Sequence, residues 1–179
     1  MKKIMNLLVL ASLLGACQPK QTANIMPKPD EFVRIEGPDL ITPEGEKLFI
    51  TGTNLGNWLN PEGYMFGFQK TNSGRFINEM FCQLVGPDFT AEFWKAFKDN
   101  YVTRKDIEFI ASTGANTIRL PFHYKLFTDE DYMGLTAEQD GFERIDQLVE
   151  WCRGKGVYLI LDMHDAPGGQ TGDNIDDSH

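Results

Sequence analysis

The sequence predicts a parallel α/β fold, and three observations predict it. Two amphipathic helical patterns alternate with three short apolar strand patterns, in the order strand, helix, strand, helix, strand. The last strand pattern, Val157-Tyr158-Leu159-Ile160-Leu161, is almost continuously apolar, as expected of a strand covered on both faces. Polar, ionisable and aromatic residues gather just after all three strands, which is where parallel α/β folds place their ligands.

The elements come in chain order. A short alternating stretch lies within Phe32 to Ile41, with Val33 and Ile35, and Thr42-Pro43-Glu44-Gly45 reads as a turn. A strand from about Leu48 to Thr53 comes next, so an N-terminal β-hairpin is expected to lead into a first core strand. From Leu55 to Val102 runs an aromatic-rich excursion with two short helices. One carries Phe76, Ile77, Met80, Phe81 and Leu84 at helical spacing; the other is expected to be capped by Thr90, with Phe93, Ala96 and Phe97 on one face. Most of these aromatics are expected to be packing. Thr103-Arg104-Lys105-Asp106 is a capping box ahead of Ile107, Ile110 and Ala111, and Gly114 ends that helix. Asn116 to Leu120 is a strand expected to close at Pro121. Phe142, Ile145, Leu148, Val149 and Cys152 mark the next helix, which ends at Gly154 or Gly156. Two such βαβ units imply right-handed crossovers.

Composition narrows the function. With 41% apolar and 24% charged residues, the chain is ordinary globular protein, neither collagenous nor low-complexity. Lys plus Arg number 17 against 26 Asp plus Glu, for a net charge of -9, and no basic cluster occurs. Such a chain repels phosphate backbones, so no nucleic-acid partner is expected. Asp162, His164, Asp165, Asp173, Asp176, Asp177 and His179 look superficially like metal ligands. No HxH or HExxH occurs, however, and the run lacks the Gly and Glu positions of an EF-hand, so a solvated acidic loop is the better reading.

Residues 1–16 read as a signal peptide: Lys2 and Lys3, an apolar run from Leu7 to Leu14, then Gly15 and Ala16. Leu14-Gly15-Ala16-Cys17 resembles the bacterial lipobox, which implies lipidation of Cys17 and attachment to a membrane through the lipid. Residues 17–31, with Gln18, Pro19, Pro27 and Pro29, then form a polar tether, and residues 32–179 the folded domain. The expected location is the bacterial cell envelope, with Gln18 in place of Asp pointing to the outer membrane. Of the remaining cysteines, Cys82 and Cys152 both sit in helical apolar patterns, and unpaired core thiols are favoured over a bridge.

The strand-end strings carry a resemblance. After the first strand comes Thr53-Asn54-Leu55-Gly56-Asn57-Trp58-Leu59, followed by Glu62. The second ends in Arg119-Leu120-Pro121, and the third in Leu161-Asp162-Met163-His164-Asp165-Ala166-Pro167-Gly168-Gly169-Gln170, then Asn174. From about Gly52 to Ser178 this resembles glycoside hydrolase family 5, the cellulases and exo-1,3-glucanase-like retaining β-glycanases. The resemblance implies the N-terminal part of a (β/α)8 TIM barrel: the hairpin plus the first three β/α units. A full barrel needs about 250 residues, so an incomplete barrel is expected, from a truncated or prematurely ended gene product.

The resemblance also implies roles. Arg119 would hydrogen-bond the nucleophilic carboxylate and keep it ionised. His164 would line the subsite of the sugar being cleaved, and Asn54 belongs to the same strand-end set. Glu62 would contact sugar or else be a solvated loop residue. Trp58 would contact sugar or else be core. His123 stands where that branch often has Gly, so its role is open. The family's acid/base and nucleophile glutamates follow strand four and lie at strand seven, and no residue here corresponds to either. The expected substrate is β-glucan or a related polysaccharide, hydrolysed with retention and without metal or organic cofactor. The chain alone is expected to be inactive, and a non-catalytic carbohydrate-binding lipoprotein, or a remnant, is the alternative.

Overall fold

The structure is a computed structural model in which residues 32–134 and 139–168 are described. They fall into two compact units, one ending at Leu48 and one beginning at Phe49.

The first unit is built on a hairpin of β1 (Arg34–Glu36) and β2 (Asp39–Ile41), paired antiparallel with Ile35 opposite Leu40. Its tight turn is Gly37-Pro38, with Gly37 at φ 61°, rather than the Thr42–Gly45 turn expected from the sequence. That second turn does form, with the Gly45 N–H donating to the Thr42 carbonyl at 3.0 Å. It is closed by a single bridge, Ile41 to Lys47, and no strand begins at Leu48.

In the second unit three strands form a parallel sheet in the order β3 (Gly52–Asn54), β4 (Thr117–His123), β5 (Tyr158–Asp165). Asn54 lies opposite Arg119, and Arg119 opposite Ile160. The crossover from β3 to β4 holds α1 (Gly74–Val85), α2 (Pro87–Asn100) and α3 (Arg104–Ser112); α4 (Asp140–Cys152) joins β4 to β5. Helix α3 opens on the expected capping box, the Thr103 N–H donating to the Asp106 carboxylate at 2.7 Å.

Three expectations are corrected. Strand β4 runs through Pro121 to His123 instead of stopping. Residues 119, 121 and 123 turn their backbone toward β3: the Arg119 carbonyl accepts from Leu55 and the His123 N–H donates to the Leu59 carbonyl. Strand β3 has ended by then, so the N–H that Pro121 lacks would have faced a gap in the ladder. Helix α2 starts at Pro87, after Gly86 at φ 87°, rather than being capped by Thr90. Proline is pre-shaped for the first helical position, and the Thr90 hydroxyl donates back to the Gly86 carbonyl at 2.8 Å. Strand β5 is not covered on both faces by the described residues: Ile160, Leu161 and Met163 are 40%, 51% and 46% exposed.

The core lies between β4 and the helices, around Ile118, Leu120, Ile107, Leu148 and Leu126. The aromatics of the excursion form their own layer. Trp94 is fully buried, meets Phe66, Phe93 and Phe97 edge-on, and donates its indole N–H to Asn78 at 2.8 Å. Cys82 and Cys152 are both free thiols.

Candidate active site

Alternation along β5 puts Asp162 and His164 on one face of the strand, two residues apart. Arg119, mid-way along β4, reaches toward them. Its Nη2 donates to Asp162 Oδ2 and lies 3.2 Å from His164 Nδ1, which in turn is 3.1 Å from Asp162 Oδ2. On the other side, Arg119 Nη1 donates to Asn54 Oδ1 at 3.4 Å, tying in the end of β3. The three strand ends predicted to carry chemistry therefore meet on one guanidinium. The cluster is part-open: the Arg119, Asp162 and His164 side chains are 36%, 27% and 38% exposed.

Glu62 joins from the segment after β3. It precedes a 3-10 turn, Gly63–Phe66, and its N–H donates to Asn57 Oδ1 at 2.9 Å. Asn57 holds φ 64°, a left-handed conformation that Asn tolerates better than most residues. A Cβ on Gly63 would lie 1.7 Å from the Thr71 carbonyl oxygen, so only glycine lets the chain close behind Glu62. Burial pushes the Glu62 carboxyl above its ordinary pKa. His164, a hydrogen bond from Tyr64 and the charge of Arg119 pull the other way, in that order. Glu62 thus lies close enough to the same cluster to feel the charges of His164 and Arg119. Tyr64 is 61% exposed. Its phenol is pushed up by desolvation first and by the Glu62 carboxylate it bonds.

Arg119, His164 and Asn54 meet at the strand ends, and Glu62, which the sequence leaves open between a sugar contact and a solvated loop residue, is buried and within electrostatic reach of His164 and Arg119. Trp58 does not join them. It is fully buried, its indole N–H donates to the Lys98 carbonyl at 2.8 Å, and its ring lies 6.4 Å from that of Trp151. Both ring faces and the polar edge are committed inward, so Trp58 is core and offers no sugar platform. Sequence reasoning passed over Tyr64 by counting it among the packing aromatics; the available signal was its place two residues after Glu62, beyond the buried stretch. Asp162 reads from the sequence as a strand-end residue and as part of a superficially metal-like acidic run, and its i, i+2 relation to His164 is the signal that places it in the site. Cys17, Gly169, Gln170 and Asn174 lie outside the described residues.

Chemically, the arrangement is a carboxylate–guanidinium–imidazole row on strand ends with a second carboxyl and a phenol nearby. It presents hydrogen-bond donors and acceptors side by side, with the part-exposed Arg119 cation already paired with Asp162. A parallel β/α sheet with this row at its carboxyl ends is the layout of a (β/α)8 barrel enzyme.

The comparisons agree. The family model Cellulase (glycosyl hydrolase family 5) matches residues 78–178. A β-xylosidase of Phanerodontia chrysosporium is 31% identical over 142 residues, 79% of this chain and 29% of that protein. A glucan 1,3-β-glucosidase of Kluyveromyces lactis is 32% identical over 141 residues, 72% of this chain and 32% of that one. Endoglucanase C of Acetivibrio thermocellus is 43% identical over 76 residues, 42% of this chain and 22% of that one. Among solved structures, rutinosidase from Aspergillus niger superposes with a TM-score of 0.54 at 21% identity, covering 70% of this chain and 36% of that one. AoRut gives 0.56 at 23%, covering 72% and 36%. These likenesses show the fold, the β/α units of an incomplete (β/α)8 barrel. The chain belongs to glycosyl hydrolase family 5. It spans about a third or less of the length of the curated relatives it matches.

Proposed function

We propose that this chain supplies the sugar-gripping strand ends of a retaining glycosidase acting on β-glucan. The observation that carries the reading is the meeting of Asn54, Arg119, Asp162 and His164 at the carboxyl ends of three parallel strands, with Glu62 nearby. In a retaining mechanism two carboxyls stand about 5–5.5 Å apart, one attacking the anomeric carbon and one shuttling a proton. Arg119 suits the first by holding a neighbouring carboxylate ionised, since a close cation lowers a carboxyl pKa. His164 suits a sugar hydroxyl: Nδ1 is taken up by Arg119 Nη2 at 3.2 Å and Asp162 Oδ2 at 3.1 Å, which leaves Nε2 as the ring nitrogen to meet it. Glu62 accepts from a second hydroxyl, and its burial sharpens that preference for a donor. No residue of this chain is assigned as acid/base or nucleophile.

The test is calorimetry and reducing-sugar assay on the 179-residue chain with laminaritriose and cellotriose. Binding without turnover is expected, with Arg119→Ala and His164→Ala each weakening binding at least about tenfold, or about 1.4 kcal/mol. Turnover by the chain alone contradicts the assignment of the reacting carboxyls elsewhere. Binding by the chain, with no cleavage even by a longer product of the same gene, favours the carbohydrate-binding lipoprotein instead.

We also propose that the protein is held at a bacterial envelope, at the outer membrane, through lipid on Cys17, with residues 18–31 as the tether. The support is the lipobox-like string behind an apolar run. Stable anchoring takes more than one acyl chain. Among the described residues no helix is long and apolar enough to cross a membrane. Labelled palmitate fed to expressing cells should enter the wild-type chain and not Cys17→Ser; equal labelling of both refutes the anchor.

A further inference from the structure

His123 is the last residue of β4 and is 1% exposed. Its Nδ1 accepts the Lys125 N–H at 3.2 Å, so the proton of the neutral ring sits on Nε2. Burial, helped by the charge of Lys125, lowers its pKa to about 3. The ring lies nearly parallel to Tyr132 at 4.2 Å and to Tyr124 at 5.0 Å. Tyr132 is itself buried, and its hydroxyl donates to Asn60 Oδ1 at 3.5 Å, two residues before Glu62. Helix α1 makes room for that phenol with a glycine: a Cβ on Gly74 would lie 2.8 Å from the Tyr132 oxygen.

The backbone of His123 points the same way. Its N–H donates to the Leu59 carbonyl at 3.1 Å, and Phe122 bridges Leu59 in parallel. Its cross-strand neighbour is Asp165, directly after His164, at the irregularity that ends the β4–β5 ladder. The charged groups beside it are therefore Lys125 on its own turn and Asp165 on β5. Three segments converge on this one residue: the Leu59–Glu62 stretch, the end of β5, and the 3-10 turn Tyr124–Phe127.

We propose that His123 is a positioning residue, whose ring, stacked on Tyr132 and through it on Asn60, locks the Leu59–Glu62 stretch against the end of β5 and so sets where Glu62 stands relative to His164 and Arg119. Glu62 lies on irregular chain, and a contact group on such chain keeps its aim only when its support is packed and hydrogen-bonded. This rests on reading Glu62 and His164 as sugar contacts.

The experiment uses the full chain and its His123→Ala, Tyr132→Phe and double variants. Two readouts are taken: the Glu62 carboxyl titration by carbon NMR without sugar, and laminaritriose and cellotriose affinity by calorimetry. Each single variant is expected to move the Glu62 titration toward the ordinary carboxylate range and to weaken affinity about tenfold. The double variant should lose no more than the worse single one, because the two residues act in series. Tyr132→Phe removes only a hydroxyl and guards against a variant that does not fold. Variants that melt earlier yet leave the Glu62 titration at its wild-type position overturn the proposal, as do losses that multiply. A wild-type chain that binds neither sugar refutes the sugar-site reading, and the Glu62 titration still decides the positioning role.

Discussion

Trp58 and Tyr64 show how six residues of chain separate a core aromatic from a site aromatic. Trp58 has its N–H consumed by the Lys98 carbonyl and no exposed surface; Tyr64 keeps a phenol at the Glu62 carboxyl and most of its ring in solvent. Both are aromatic residues flanking a carboxyl, and local sequence does not say which one the chain folds over. Trp58→Ala should cost about 3–5 kcal/mol in chemical denaturation, the range for emptying a buried indole site. A loss under about 1 kcal/mol, accompanied by lost sugar affinity, would make Trp58 a sugar contact instead. Lys98 is the opposite surprise. A lysine on a helix reads as solvated, yet it is 4% exposed, with Nζ 2.7 Å from Asp140 Oδ2. Its partner lies 42 residues away, so no periodicity announces it. Burial lowers the Lys98 pKa more than Asp140 restores it.

At the scale of elements, capping and periodicity are legible in α3 and α4. The Thr103–Asp106 box, the α3 face with Ile107, and the α4 face with Leu148 and Cys152 stand as read. Two misreadings are local, the Gly37-Pro38 turn of the hairpin and the start of α2 at Pro87; the others depended on partners far along the chain. Pro121 looked like a strand end, but whether a missing N–H matters is decided by the neighbouring strand, and β3 has already stopped there. In α2 the buried stripe is Thr90, Trp94 and Lys98, a face turned from the one marked by Phe93 and Ala96. Phe93 stays 37% exposed and serves the aromatic layer edge-on. The Lys98–Asp140 pair, with Arg144 bonding both Asp140 and Asp99, then fastens α2 to the start of α4. Since Lys98 also accepts from Trp58, that fastening backs the stretch leading to Glu62.

Across the whole molecule, pH joins these pieces. His123 has a folded pKa of about 3 against an ordinary 6.5. Between those values the unfolded chain holds a proton that the folded chain refuses, so stability is full above pH 6.5 and falls as pH drops. The slope is at most about 1.4 kcal/mol per pH unit. Asp106, held down by Thr103, and Asp99, held down by Lys95 and Arg144, add a further loss below their ordinary 3.8. Glu62 works the other way: its raised pKa means the folded chain takes the proton first, a gain in stability just above pH 4.5. Urea denaturation from about pH 7 to about 4.5 should therefore show declining stability in the wild type and a flatter profile in His123→Ala. Parallel profiles for the two would show that the imidazole is not held neutral by the fold.

Much about this protein is legible in the sequence alone. The alternation of strand and helix and the strand-end positions of Asn54, Arg119 and His164 come from local patterns, because side-chain period and the carboxyl-end rule act over a few residues; the family comes from the resemblance of the strand-end strings. The packing of Trp58 against Lys98, the stack of His123 on the Tyr132 that bonds Asn60, and the placing of Glu62 within reach of Tyr64, Arg119 and His164 were decided in three dimensions. Those contacts link segments up to about a hundred residues apart, and burial there, not sequence spacing, determines which polar group meets which.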